Sequence, residues 1–254
     1  MNKKSILYKT LRKIKFFLLY PKHYMNVQRS INEQVNFYSN FISKGDLVFD
    51  VGANIGDKTF VFRKLGAKVV AVEPQIWCSN KIAKRFKGDN KVVLVNKGLS
   101  DAEGEIEMSI CETAPTISTM SKKWKTEGRF AGNYNWNKTE KVSLTTLNNL
   151  IDQYGVPVYC KIDVEGFELN VLKGLSTKIP LISFEYTTEF FDDAEKCIAH
   201  LESLGEIEMN AFMEPGEFLF DHYDQPTEVL SKLKSLNDKD LAGDIYVRFT
   251  SFHK

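Results

Sequence analysis

Apolar and polar positions follow two alternating periods along this 254-residue chain. Short apolar runs bounded by turn residues occur at 47–51, 68–73, 92–96, 158–163 and 181–185, with a later pair near 206–213 and 244–250. These runs predict strands. Between them, at 59–65, 76–86, 168–175 and 194–204, apolar residues recur three or four apart, which predicts helices. Gly66, Gly174 and Gly205 stand where three of these helices need a C-terminal cap. Strand and helix in alternation predict a parallel sheet with helices on both faces.

Residues 104–145 break this alternation. Ile106, Met108 and Ile110 alternate with polar residues as in a half-exposed strand, and a polar, aromatic-rich stretch then runs from Thr113 to Lys141. So long a loop inside a domain is usually functional or disordered. Trp124, Tyr134 and Trp136 are candidates to lie flat on the CH faces of a sugar ring, with Asn133, Asn135 and Asn137 binding its hydroxyls. The competing reading is that these aromatics anchor the loop to the core or to a partner subunit.

The composition changes this picture in two places. At 43% hydrophobic residues the chain can fill the core of one large α/β domain, here 41–254. The net charge is +1, yet residues 1–32 hold eight Lys and Arg and no acid, leaving the remainder at −7. This separation predicts a basic helical arm over 1–40 that meets an anionic partner, such as the inner face of a membrane through residues 1–20, and a body that does not bind nucleic acid. Ile6, Leu7, Leu11, Ile14 and Leu18 recur at helical spacing among the lysines, too short a run to span a bilayer. Packing of that helix on the domain is the alternative. Cys78, Cys111, Cys160 and Cys197 have no paired spacing and read as reduced thiols of a cytoplasmic protein.

The candidate chemistry begins at Asp50-Val51-Gly52-Ala53-Asn54-Ile55-Gly56-Asp57, after the apolar run 47–49. A strand, a glycine turn and a helix start follow in order, with Gly52 and Gly56 letting the backbone approach a ligand closely. The spacing lacks the third glycine of dinucleotide sites, so a ligand without a pyrophosphate fits better than a nicotinamide cofactor. The second strand ends in Glu73-Pro74, where a carboxylate can accept hydrogen bonds from both hydroxyls of a ribose.

Four blocks carry a resemblance to a known family. They are 49–56, then Val72-Glu73-Pro74, then Gly98-Leu99-Ser100-Asp101 with Gly104, and Lys161-Ile162-Asp163-Val164-Glu165-Gly166-Phe167-Glu168 leading into 171–174. In order and spacing the chain resembles the FkbM-type methyltransferases, class I enzymes that use S-adenosylmethionine. The resemblance implies a Rossmann-like, doubly wound, mostly parallel seven-stranded sheet with helices on both faces. It implies cofactor contacts from Asp50, Gly52, Asn54, Gly56, Glu73 and Asp163, and an adenine contact from Ser100 or Asp101. No Pro-Pro-aromatic tetrapeptide follows the fourth strand, which disfavours methylation of a nucleic-acid base.

Methyl transfer to a hydroxyl needs alignment and a base. Asp163 is the first candidate, with Glu165 and Glu185 next, all delivered to the same edge by their strands; His222 is the alternative. Asp163 or Glu165 could instead cap the helix that begins near Gly166. A divalent cation held by these acids is an alternative role for them, one that no neighbouring His supports, and no metal is assigned. The expected activity is O-methylation of a saccharide, free, lipid-carried or part of a cell-surface glycan. The rivals are a polyketide hydroxyl as acceptor, a nicotinamide-dependent oxidoreductase, and a SAM-binding module without catalysis.

Overall fold

The computed structural model describes residues 21–213, 217–236, 238 and 241–252. The chain divides into two units, 1–41 and 42–254. In the first, α1 (Pro21–Tyr38) carries an Arg29–Glu33 ion pair one turn apart, and the Phe37, Tyr38 and Phe41 rings meet edge to face. The predicted amphipathic segment of residues 1–20 lies outside the described residues. Among those described, no helix is long and apolar enough to cross a membrane.

The second unit is built on an eight-stranded sheet. Its strands are β1 (Leu47–Val51), β2 (Lys68–Val72), β3 (Val92–Val95), β7 (Tyr159–Ile162), β8 (Leu181–Thr187), β9 (Ile207–Met213), β10 (Glu217–Phe218) and β11 (Ala242–Phe249), in the order β10-β9-β11-β8-β7-β1-β2-β3. The seven predicted strands are all present, and β10 adds a two-residue edge. From β3 to β8 all pairings are parallel; β11 runs antiparallel to β8 and β9. Burial explains the apolar runs, since Val48, Phe49 and Val51 of β1 and all of β7 are shielded on both faces. Tyr159 within β7 satisfies its hydroxyl on Ser183 Oγ at 2.7 Å and stacks on Tyr246.

Helices α2 (Asp57–Lys64), α3 (Ile76–Arg85), α6 (Glu168–Lys173) and α7 (Phe191–Leu204) fill the predicted intervals. α5 (Leu147–Tyr154) and α8 (Pro226–Ser235) were not anticipated. Of the three glycines expected as caps, Gly66 is left-handed (φ 88°), whereas Gly174 is right-handed and Gly205 extended. Gly174 is instead demanded by close approach, because a Cβ there would lie 2.2 Å from the Ser100 carbonyl oxygen.

The 104–145 region is ordered structure rather than a loop. β5 (Gly104–Ile110) pairs antiparallel with β6 (Lys138–Thr145), which also pairs with β4 (Gly98–Leu99) in a separate three-stranded sheet. Met108, Ile110, Met120 and Val142 form its own small core. Between β5 and β6 lies α4 (Lys122–Glu127), started by Ser121, whose hydroxyl accepts from Trp124 N. All four cysteines are free and buried.

Phe49 is wholly buried in the main core at the middle of β1. Phe49→Ala is expected to lower the free energy of unfolding by about 3 to 5 kcal/mol, read as a fall in the urea midpoint at unchanged slope.

Candidate functional site

Parallel register puts the chemistry on one edge. Val51 is level with Val72 and Ile162, and Ile162 with Phe184. The next residues are Gly52, Glu73 and Asp163, just past the ends of β1, β2 and β7, with Glu185 level with them inside β8. The chain order reverses here, with β2 on one side of β1 and β7 on the other, which is where an open α/β sheet leaves a crevice.

The glycine turn is shaped by close contact. Gly52 has φ 79° and its amide donates to Val72 O; a Cβ there would lie 1.7 Å from the Asp163 carbonyl oxygen. Asn54 is also left-handed, at φ 50°, and its amide donates to Glu73 Oε2 at 2.8 Å. Gln75 N donates to Glu73 Oε1 at the same distance. Each carboxylate oxygen thus has one fixed backbone donor and further lone pairs for a ligand. Burial pushes the Glu73 carboxyl up to about 7, against the lowering effect of these two amides.

These residues line a cavity of about 230 Å³. Its polar wall includes Glu73, Lys58, Lys161, Asp163 and Glu165, and its apolar wall includes Pro74, Leu99, Met108 and Met120. A nucleoside fits this division: Glu73 for the ribose hydroxyls, the apolar side for a planar base, and Gly52 for backbone approach. S-adenosylmethionine, which carries such a nucleoside and no pyrophosphate, is the cofactor these residues suit.

At the mouth of β7 charge is concentrated. Buried Lys161 donates to Asp163 Oδ2 at 2.5 Å. Carboxylate oxygens of Asp163, Glu165 and Glu185 all come within 4.8 Å of one another. Burial, then the Asp163 charge, pushes Glu165 up to about 9, and the same causes hold Glu185 well above the ordinary carboxyl range. Burial, then Lys161, pushes the Lys58 amine down. Glu165 has φ 56°, and its carbonyl accepts from Thr119 Oγ1 at 2.6 Å, which fastens the turn to the small sheet. Neither Asp163 nor Glu165 caps α6. Glu168 folds back instead, its Oε1 accepting from Val164 N and Gly166 N.

The other expected residues fall elsewhere. Asp50 is buried beneath the turn and takes a 2.5 Å hydrogen bond from Thr59; with Gly56, whose left-handed turn packs near Phe86, it supports the cavity without lining it. Ser100 and Asp101 bond each other, and the wall at that point is Lys97, Gly98 and Leu99. His222 is exposed beside Asp224 and is not among the residues that line this cavity. Trp124 is buried against Phe130, Phe190 and Gly166, Tyr134 packs edge to face on Phe130, and Trp136 Nε1 donates to Ile117 O at 2.9 Å. The contacts of Tyr134 and Trp136 lie within the inserted segment itself, and neither residue is among those that line the cavity. Lys161 escaped the sequence reading, although a lysine inside an apolar strand was a visible sign.

Comparisons with known proteins agree with this geometry. A family model described as the methyltransferase FkbM domain matches residues 50–238. The hexuronic acid methyltransferase AglP of Haloferax volcanii is 28% identical over 142 residues, 55% of this chain and 54% of that protein, so the chain spans about half of this relative's length. Precorrin-6y C5,15-methyltransferase of Geobacter metallireducens superposes with a TM-score of 0.45 at 12% identity, covering 87% of this chain and 88% of that one. A SAM-dependent O-methyltransferase of Thermotoga maritima gives 0.43 at 11%, covering 86% and 64%. Superpositions this loose carry no argument of their own. The family match takes in the glycine turn, Glu73, the β7 edge and Glu185 together, and the chain belongs to the FkbM methyltransferase family.

Proposed function

We propose that the protein transfers a methyl group from S-adenosylmethionine to a hydroxyl of a saccharide. The observation that carries the reading is the shared register of β2, β1, β7 and β8, with the Glu73 cradle one strand from the turn and the Asp163, Glu165 and Glu185 carboxyls gathered at the β7 edge. When bound, the cofactor supplies a sulfonium methyl, whose C–S bond breaks as the C–O bond to the acceptor forms. The acceptor hydroxyl loses its proton, and Asp163, held by Lys161, is assigned as the base that takes it. Glu165 and Glu185, both raised well above the usual carboxyl range, enter as protonated groups that can donate to acceptor or cofactor. Support for a saccharide comes from AglP, whose name specifies a hexuronic acid. Transfer of label from methyl-labelled cofactor into the saccharide fraction of cell extracts tests the whole reading; label in lipid-free, sugar-free metabolites alone would count against it.

Glu73→Ala should weaken cofactor binding by about 2 to 4 kcal/mol, roughly 30- to 1,000-fold, the loss of a charge-assisted pair of hydrogen bonds. Titration calorimetry checks this, and unchanged affinity would remove Glu73 from the ribose.

The same carboxyl gives the affinity a pH dependence. Below about 7 Glu73 of the free protein holds a proton that must leave before it can accept from both hydroxyls. Cofactor affinity should therefore fall as pH drops from 8 to 6, by up to about tenfold per unit, and Glu73→Gln should flatten that slope.

Asp163→Asn keeps shape and removes basicity. It is expected to leave cofactor affinity nearly unchanged and to depress turnover by roughly two to four orders of magnitude. Normal single-turnover rates in this variant would pass the role to a neighbouring carboxyl.

A further inference from the structure

One edge of the large sheet, where α3 packs beside the terminal strand β3, carries a charge opposite to that of the domain around it. From Pro74 to Lys97 the chain holds six Lys and Arg and a single acid, Asp89, within a body that is acidic as a whole. Asp89 is taken up by Arg63 at 2.8 Å, and Arg85 by Asp57. Lys81, Lys84, Lys87, Lys91 and Lys97 are all exposed, and among the described residues no acid pairs with any of them. Five cations are thus left facing outward.

Two large apolar side chains stand at the same edge. Ile76 and Trp77, 58% and 53% exposed, open α3 on its outer side, while Cys78, Ser79 and Ile82 are buried on its inner side. Lys81, one turn further on, sets its ammonium 4.8 Å from the centre of the Trp77 ring. Val93, on β3, is exposed as well. Ile82 packs with Ala53, Ala71 and Leu94, which holds α3 against the sheet. Asn96 Nδ2 donates to the Glu73 and Pro74 carbonyls at 2.8 and 3.0 Å and so ties the end of β3, with Lys97 beside it, to the start of α3. Apolar and cationic groups therefore share one surface.

We propose that this edge docks on an anionic lipid surface, with Ile76 and Trp77 entering the headgroup layer and the lysines meeting lipid phosphates. A bilayer interface supplies both halves of what the patch presents: tryptophan rests at headgroup level, an aliphatic side chain leaves water there, and lysines beside them are drawn by the negative surface potential. A nucleic acid would answer the cations alone and leave Ile76 in water. The contact uses residues other than 1–20 and does not rest on the methyl-transfer reading. It adjoins the cofactor cavity, whose wall takes in Pro74, Gln75 and Lys97.

The test is quenching of tryptophan fluorescence in the full chain by vesicles of brominated phosphatidylcholine, with and without phosphatidylglycerol, while sedimentation measures the bound fraction. The chain's three tryptophans are Trp77, Trp124 and Trp136, so residues 1–20 contribute none to the signal. Anionic vesicles should quench the wild type, neutral ones should not, and Trp77→Phe should remove the quenching. Lys81→Gln, Lys84→Gln and Lys87→Gln combined should weaken sedimentation with anionic vesicles about 10- to 100-fold, since each cation near such a surface is worth about fivefold. All these positions are exposed, and an unchanged urea midpoint shows that each variant is folded. Equal quenching of the wild type and Trp77→Phe, unchanged sedimentation of the triple variant, or no binding to anionic vesicles overturns the proposal. Capture of polyuridylate in place of vesicles, lost in the triple variant, would overturn it too and make the edge a nucleic-acid surface.

Discussion

The shared register of four parallel strands is the constraint on which the site depends. Val51, Val72, Ile162 and Phe184 form one row across β2, β1, β7 and β8, so the next residue of each strand lands on a common edge. A slip of one residue in any pair would turn its side chains to the opposite face. Phe49, Val51 and Ile162 are all buried in the main core in this register. Gly52 then completes the fit, since only a residue without a Cβ allows the β1 turn to pass against the Asp163 carbonyl.

That edge gathers more carboxyls than an apolar interior tolerates in charged form. Glu73, Glu165, Glu168 and Glu185 are all pushed upward by burial, and Asp163 adds to the shift in each. The protein moderates the cost with specific partners: two amides on Glu73, two on Glu168, and a buried ammonium on Asp163. Protons retained on the others keep the crevice from accumulating full negative charge. A cationic sulfonium entering such a crevice meets groups whose charged forms it favours, which couples cofactor binding to proton release.

The inserted segment turns an open crevice into an enclosed site. Its small sheet contributes Met108 and Met120 to the cofactor cavity, and three hydrogen-bonded or packed points fasten it to the edge: Thr119 to the Glu165 carbonyl, Gln75 to the Pro115 carbonyl, and Trp124 on Gly166. Of the insert's aromatics it is Trp124, packed on Gly166 and Phe190, that holds this element down.

Period and punctuation in the sequence determined the seven main strands, four of the helices and the residues at the strand tips, because burial on both faces of a parallel sheet forces continuous apolar runs and a polar residue ends them. Gly52, Glu73, Asp163 and Glu185 were legible for this reason, each standing one residue past such a run. Tertiary structure alone decided what lies between. The insert's strand β6 reads as polar because one side faces solvent, and its pairing with β5 is long-range. The cavity wall takes in Lys97, Gly98 and Leu99 but not the adjoining Ser100 and Asp101, nor His222, a distinction that no spacing along the sequence encodes. Trp124 could be seen as chemically apt, but whether its indole met a ligand or the core depended on Gly166 and Phe190, residues far from it in sequence that only folding brings alongside.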